Sequence, residues 1–233
     1  MVDYRKLRFN NLNSPQFKHL FLLLYWPIYG IAFFFLERGW EREFFPVYCA
    51  LDDRIPFLEI FVFPYLWWFV FLFFIHIYTL LVDIKAFKKL MCYIMLSYTI
   101  STLIFVFFPT MQELRPTEFV RDNFLVEFMK GFYEFDTNTN VLPSLHVVGS
   151  FAVLYGSWNS KGLNTPFIRI IMTVQTILIS ISTVFLKQHS IIDIIVGFVL
   201  SIALMPISDW VAKKFDKAKT CNSNEIQKED INV

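Results

Sequence analysis

Long runs of apolar residues, separated by short polar segments, dominate this chain. Several of these runs reach the roughly 20 residues that a helix needs to cross a bilayer. We therefore expect an all-α integral membrane bundle of six transmembrane helices. The six expected spans cover residues 19–36, 57–82, 90–108, 142–158, 166–186 and 190–211.

The polar segments define the remaining organisation. We interpret residues 1–18 as a cytoplasmic N-terminal tail, residues 19–211 as the six-span membrane domain, and residues 212–233 as a polar, disordered cytoplasmic tail. The longest connection, residues 109–140, contains no apolar run and is expected to be a loop. Loops of that length are usually functional or disordered.

The basic residues predict the orientation in the membrane. If both termini are cytoplasmic, about two-thirds of the 21 Lys and Arg residues fall on the cytoplasmic side, as the positive-inside rule requires. This orientation places connection 109–140 and the starts of the fourth and sixth spans on the outer face. We expect a multi-pass protein of the plasma membrane with an outward-facing site.

Composition narrows the possible functions. Hydrophobic residues make up 56% of the chain, and the formal net charge of +1 leaves no basic stripe for nucleic acid. The three cysteines, Cys49, Cys92 and Cys221, share no metal-ligand spacing. We therefore expect neither a metal nor another cofactor, and the expected partner at this point is the bilayer.

Two histidines at the edges of apolar runs are the candidate catalytic residues. Ionisable residues near membrane depth are costly, so a functional role is the default interpretation of His146 and His189. Asp193 follows His189 by four residues and lies on the same helix face. A carboxylate there can fix the imidazole tautomer and leave the other nitrogen nucleophilic. His146, close to Ser144, is a candidate general acid.

Nearby cations favour phosphate as the group on which these histidines act. Arg115 and Lys187 can supply positive charge to a transferring phosphoryl group, and helix N-termini also attract anions. His19 and His76 have no suitably placed carboxylate, so we expect them to be structural.

Spaced motifs resemble one family over about residues 51–211. Arg115-Pro116, the Pro-Ser-Leu-His run ending at His146, and Ser182 with His189 and Asp193 are similar to the type 2 phosphatidic acid phosphatase superfamily. The resemblance implies a membrane lipid phosphate as the partner and substrate, and a phosphohistidine mechanism without metal. His189 would attack phosphorus, Asp193 would orient it, and His146 would protonate the leaving oxygen. Arg115 and Ser144 would hold the phosphate oxygens.

The chain departs from the family pattern at three positions. Phe108 and Thr183 stand where the family usually has a lysine and an arginine, and Leu145 replaces a glycine. We hypothesise that Lys187 replaces one of the missing cations.

The segments Leu51-Asp52-Asp53-x-Ile55-Pro56-Phe57 and Pro109-Thr110 resemble the branch with inositol phosphorylceramide and sphingomyelin synthases, which transfer phospho-headgroups between lipids. For Asp52 and Asp53 themselves, a solvated loop is the preferred interpretation over a headgroup contact.

Three functions stay open at this point. The leading one is a lipid phosphatase, and the second is a lipid phosphotransferase with an alcohol acceptor. A transporter with a His/Asp proton relay is a third, although the polar residues cluster at one membrane face and no inverted repeat is evident. The substrate lipid and the oligomeric state are not specified by these patterns.

Overall fold

The fold, taken from a computed structural model, is described for residues 2–40 and 42–229, with side chains up to residue 214. It is built almost entirely of helices, which confirms the all-α class. The α-helices are α1 (Tyr25–Arg38), α2 (Val62–Val82), α3 (Ile84–Phe107), α4 (Phe124–Phe135), α5 (Leu145–Asn159), α6 (Pro166–Phe185) and α7 (Ile191–Glu229). Two-residue strands β1 (Phe45–Pro46) and β2 (Thr110–Met111) pair in parallel.

Five helical segments are long and apolar enough to cross a membrane. They are Lys18–Arg38, Glu59–Val82, Ile84–Phe107, Pro166–Phe185 and Ile191–Lys214. These match the expected spans except the fourth, which corresponds to α5. That helix has 15 residues, so it falls below the length of an ordinary spanning helix.

Helix α5 lies at the centre of the bundle. It packs against α2, α3, α6 and α7, and its residues from Val147 to Ser157 are buried. Small residues let the neighbours approach closely, as in other membrane helices. At Gly156, an added Cβ would lie 3.0 Å from Ile75 and 3.1 Å from Leu90. The core of the protein therefore forms around α5.

The outer surface of the bundle is strongly apolar. Phe63 and Phe73 on α2 are 59% and 68% exposed, and Phe167 on α6 is 71% exposed. An apolar surface of this extent is unfavourable in water and favourable against acyl chains. The exposed phenylalanines are thus consistent with a lipid-facing surface.

The expectation of a loop over residues 109–140 is wrong for part of that segment, because α4 lies within it. Asn123 caps α4 by accepting from the backbone N–H groups of Leu125 and Val126. Val126 and Met129 are buried on one face while Phe124 is exposed. An amphipathic helix of this kind has no continuous apolar run, so a search for spans passes over it.

The histidines expected to be structural are bonded away from the candidate site. His19 Nε2 lies 2.7 Å from the Tyr4 hydroxyl, which also donates to the Leu80 carbonyl. His76 Nε2 accepts from the indole of Trp26 at 3.1 Å. These bonds fasten the N-terminal segment and α1 to the bundle.

Helix α7 continues past the apolar span to Glu229. No proline or glycine follows Pro206 to end the helix. Most of the expected C-terminal tail, residues 212–233, therefore extends α7, while residues 230–233 lie outside the described part of the chain. The division of the chain into a catalytic domain and two tails stays a prediction.

Candidate active site

The beginnings of α5 and α7 are joined directly. The backbone N–H of Ser144, just before α5, donates to the carbonyl of Asp193 on α7 at 3.2 Å. Gly197 permits this approach, since an added Cβ would lie 3.3 Å from the Ser144 carbonyl oxygen and 3.1 Å from Val147. The two histidine motifs, 43 residues apart between His146 and His189, thus meet at one end of the bundle.

His189 and Asp193 form a buried pair. The Nδ1 atom of His189 lies 3.2 Å from Oδ2 of Asp193, and the same oxygen accepts from the backbone N–H of Ser190 at 2.9 Å. A carboxylate only accepts, so in the neutral imidazole this contact assigns the proton to Nδ1, and Nε2 then has the free lone pair. His189 is 8% exposed and Asp193 is fully buried. The pair has the arrangement of an oriented nucleophile.

His146 faces His189 across the junction. The two ring centroids are 5.8 Å apart, and the His146 ring lies between Tyr65 at 4.3 Å and Trp68 at 4.5 Å. Both ring nitrogens are buried and have no hydrogen-bond partner among the described residues. Because buried polar groups are nearly always bonded, such atoms call for an explanation. A ligand that reacts at this site is one such explanation.

Two further buried polar atoms at the junction also lack partners in the described part of the chain. They are the hydroxyl oxygen of Ser144 and Oδ1 of Asp193. Ser144 precedes the first residue of α5, where backbone N–H groups of the first turn have no intrahelical acceptor. The junction therefore offers hydrogen-bond donors to an anion next to the histidine pair.

Arg115 lies beside this junction, but its guanidinium mainly holds the neighbouring chain. Nη1 donates to the Tyr133 carbonyl, and Nη2 to the carbonyls of Asp136 and Thr137 and to Oε1 of Gln188 at 2.6 Å. Nε is buried without a partner in the described structure. A guanidinium has five N–H donors, so Nε–H and one hydrogen of Nη1 remain for a phosphate.

The side chain of Lys187 bonds to Asp52 and not, as expected, to the groups around the two histidines. Its backbone has a positive φ of 53°, a conformation in which a non-glycine residue is uncommon. Its ammonium donates to the Asp52 carbonyl at 2.7 Å, and burial lowers its pKa. The side chain also lines a surface pocket with Tyr48 and Glu113. The structure shows no contact between Lys187 and the two histidines.

Thr183 shapes the backbone turn that carries His189. Its carbonyl accepts from the N–H groups of Gln188 and His189 at 2.9 and 3.2 Å. Its hydroxyl donates to the Ser180 carbonyl within α6. The side chain is therefore occupied within its own helix and does not replace the missing family cation.

The preferred interpretation of Asp52 as a solvated loop residue is wrong. Asp52 is fully buried, and its carboxylate caps the start of α7 from 138 residues away. Oδ1 accepts from the N–H of Ile191 at 2.9 Å, and Oδ2 accepts from the Ser190 hydroxyl at 2.7 Å. The sequence around α7 does not reveal this cap, because Ser190 already has a residue type that is common at the N-cap position. Asp53, by contrast, is exposed and bonds to Tyr48.

No group of three or more His, Cys, Asp or Glu residues within the described ranges could hold a metal ion. The junction itself presents imidazoles, carboxylates, a hydroxyl and a guanidinium. Those are the groups that acid–base and nucleophilic catalysis use.

The fold defines an integral membrane protein of the all-α class, with two histidines and a carboxylate gathered where two helices begin. A family model described as the PAP2 superfamily matches residues 86–216. The match covers more than half of the chain, so the protein belongs to the PAP2 superfamily. Membership indicates phosphatase or phosphotransferase chemistry on a lipid in the bilayer. No curated protein and no solved structure matches the chain.

The superfamily resemblance drawn from the motifs is thereby confirmed. All six candidate site residues fall within the matched range, whereas Asp52 and the rest of its segment lie before it. The roles of the six residues, and the branch within the superfamily, stay predictions.

Proposed function

We propose that the protein is a membrane lipid phosphatase, which hydrolyses a phosphomonoester or diphosphate of a lipid through a phosphohistidine intermediate. The observation that carries the proposal is the buried His189–Asp193 pair facing the unpartnered ring of His146. In this proposal α5 is the fourth of six spans, both termini are cytoplasmic, and the junction faces the outer leaflet of the plasma membrane.

The first half-reaction forms a bond between Nε2 of His189 and phosphorus. The bond from phosphorus to the lipid oxygen breaks, and its electron pair stays on that oxygen. Protonated His146 transfers its proton to the oxygen, so a neutral lipid alcohol leaves. Asp193 accepts the hydrogen bond from Nδ1 and stabilises the positive charge that develops on the His189 ring.

The second half-reaction releases the phosphoryl group. Water attacks phosphorus, the bond to Nε2 of His189 breaks, and neutral His146 takes the proton from the water. Orthophosphate leaves, and both imidazoles return to their starting states. Ser144 and the free donors of Arg115 bind the phosphate oxygens during both steps, where negative charge is redistributed. Lys187 adds positive charge at the edge of the junction.

A second candidate is transfer of the phospho-headgroup to a lipid alcohol. One observation favours it: the segment around Asp52, which resembles the synthase branch, contacts the start of α7 directly. In that case the alcohol oxygen replaces water in the second half-reaction, and the phosphoryl group or the phospho-headgroup ends on a lipid.

Purified wild-type protein and His189→Gln, incubated with a panel of lipid phosphates with and without diacylglycerol, would test this proposal. His19→Gln is the matched control, since it replaces a buried histidine outside the junction. We expect wild type and His19→Gln to release phosphate and His189→Gln to lose at least 1,000-fold, in line with removal of a nucleophile, roughly the range seen for catalytic triads.

A direct assay traps the intermediate. With ³²P-labelled substrate and rapid alkaline quenching, wild type should carry label that is stable to base and labile to acid, and His189→Gln should carry none. A new phospholipid that forms only with acceptor would assign the protein to the transferases. If no product forms from any lipid, or if His189→Gln equals wild type, the proposal fails and proton-coupled transport becomes the better explanation.

A further inference from the structure

A second carboxylate lies near the junction and has no role in the mechanism above. Asp136 follows α4 and is partly buried. Its Oδ2 atom accepts from the hydroxyl of Tyr65 at 2.8 Å and from Nε2 of Gln188 at 3.2 Å. Burial raises the pKa of Asp136, while the hydrogen bond from Tyr65 opposes that rise. Ionisable groups are rarely retained in such places without specific partners.

One hydrogen-bond partner of Asp136, Tyr65, contacts the proposed general acid, His146. Tyr65 is 1% exposed, and its ring lies against that of His146. Because neither nitrogen of His146 has a hydrogen-bond partner among the described residues, the rings of Tyr65 and Trp68 are the contacts that orient it. The bond to Asp136 fixes the hydroxyl end of Tyr65, and thereby the position of the ring beneath His146.

The other partner, Gln188, accepts a hydrogen bond from the proposed phosphate ligand, Arg115. Arg115 can only donate, so the Gln188 atom that faces it must be the amide oxygen, and the amide nitrogen then faces Asp136. Arg115 thus donates to the amide oxygen of Gln188, and the amide nitrogen of Gln188 donates to the carboxylate of Asp136. An acceptor at position 136 is required at the end of this chain of bonds.

We propose that Asp136 is a positioning residue that holds the general acid His146, through Tyr65, and the phosphate ligand Arg115, through Gln188, in one fixed arrangement. The inference rests on the proposed phosphohistidine reaction and adds a residue from outside the family motifs. Because a single oxygen accepts both bonds, acceptor geometry matters more than charge. Asparagine at position 136 keeps that oxygen, and alanine removes it.

The test compares two leaving groups. Phosphatidic acid releases an alcohol and needs a proton from His146, whereas a nitrophenyl phosphate with a long alkyl chain releases a phenolate and needs little acid assistance. General acid catalysis contributes about 100- to 10,000-fold. For Tyr65→Phe, which keeps the ring and loses the hydroxyl, we expect kcat to fall about 10-fold or more on phosphatidic acid and less than 3-fold on the aryl ester.

Asp136→Ala should show the same selective loss of kcat and also a higher KM on both substrates. Arg115 keeps its bonds to backbone carbonyls, but Gln188 loses the acceptor that orients its amide oxygen towards Arg115. Asp136→Asn should restore most of both values. Glu134→Ala, which removes an exposed carboxylate two residues away, is the control and should match wild type.

Each outcome decides the inference. Equal losses on the two substrates for Tyr65→Phe, or no recovery with Asp136→Asn in a protein of wild-type thermal midpoint, would overturn the positioning role and leave the proposed function standing. If Asp136→Ala does not fold, the comparison of the two substrates with Tyr65→Phe still tests the positioning of His146. Wild type inactive on both substrates would overturn the proposed function and this inference together.

Discussion

Replacement of Asp52 by alanine should release the beginning of α7. The carboxylate accepts from the N–H of Ile191 at 2.9 Å, from the Ser190 hydroxyl at 2.7 Å and from the N–H of Cys49 at 2.9 Å. All of these donors lie around a residue with no solvent exposure. Water therefore cannot readily replace the lost acceptor.

The expected cost follows from these contacts. Loss of an N-cap acceptor costs about 0.5–2 kcal/mol, and each buried donor left without an acceptor costs about 1–3 kcal/mol. The hydroxyl of Ser190 can rotate to another acceptor, so we expect a total of about 3 kcal/mol rather than the full sum. Because 1.4 kcal/mol is a factor of ten, local opening at the start of α7 should increase roughly 100-fold.

Hydrogen exchange of the Ile191 amide, measured by mass spectrometry in detergent or nanodiscs, reports this opening. Asp53→Ala is the control, since the neighbouring carboxylate is exposed and bonds to Tyr48. Asp52→Asn should be intermediate, because its one amide oxygen cannot serve donors at both former positions. Wild-type exchange in Asp52→Ala, or an equal effect in Asp53→Ala, would refute the capping role.

Three other predictions concern packing, an ion pair and metal removal. Gly149→Ala should lower the free energy of unfolding by about 1–3 kcal/mol, because the new Cβ would lie 2.6 Å from the hydroxyl of Tyr98; Gly30→Ala, with no atom within 4 Å, is the control in thermal denaturation. Arg121→Ala breaks the 2.7 Å ion pair with Glu59, and since the arginine is half exposed we expect only about 1 kcal/mol, weakening at high salt in the same assay. Activity should survive EDTA at its full rate, because the proposed reaction uses no metal; complete loss that Mg²⁺ or Zn²⁺ restores would contradict the histidine mechanism.

The sequence predicts those parts of this protein whose cause is local. Apolar runs of bilayer length identify the candidate spans, since length and hydropathy are properties of each run by itself. The spacing of His189 and Asp193 places both on one helix face without knowledge of any neighbour. The positive-inside count also predicts that their motif and His146 lie at the same end of the bundle, and the contacts between the beginnings of α5 and α7 agree with that.

Features that depend on distant contacts could not be read from the sequence. Asp52 lies in a stretch of charged residues that resembles an ordinary loop, and only the folded bundle brings it to α7. The directions of Arg115 and Lys187 depend on which carbonyl oxygens the surrounding loops present. The amphipathic α4 has no continuous apolar run, so it is recognised by its buried face and not by hydropathy.

If α5 crosses the membrane as proposed, its shortness sets the depth of the His146–His189 junction. At its far end Asn159 bonds to Lys89, which also pairs with Asp209, and charged groups of this kind mark a membrane boundary. His146 is 13 residues away along the helix, a rise of about 20 Å, whereas the hydrocarbon layer is about 30 Å thick. In the proposed orientation, the His146–His189 junction would lie about 10 Å below the opposite boundary, beneath the connection that contains α4.

A lipid phosphate would then have to enter the bundle below the level of its headgroup neighbours to reach His189. Both water and an acceptor alcohol would have to reach the same depth, past the connection that contains α4. On the proposed function, the side chains of that connection, and not the histidines, would therefore govern which of the two acceptors meets the phosphohistidine.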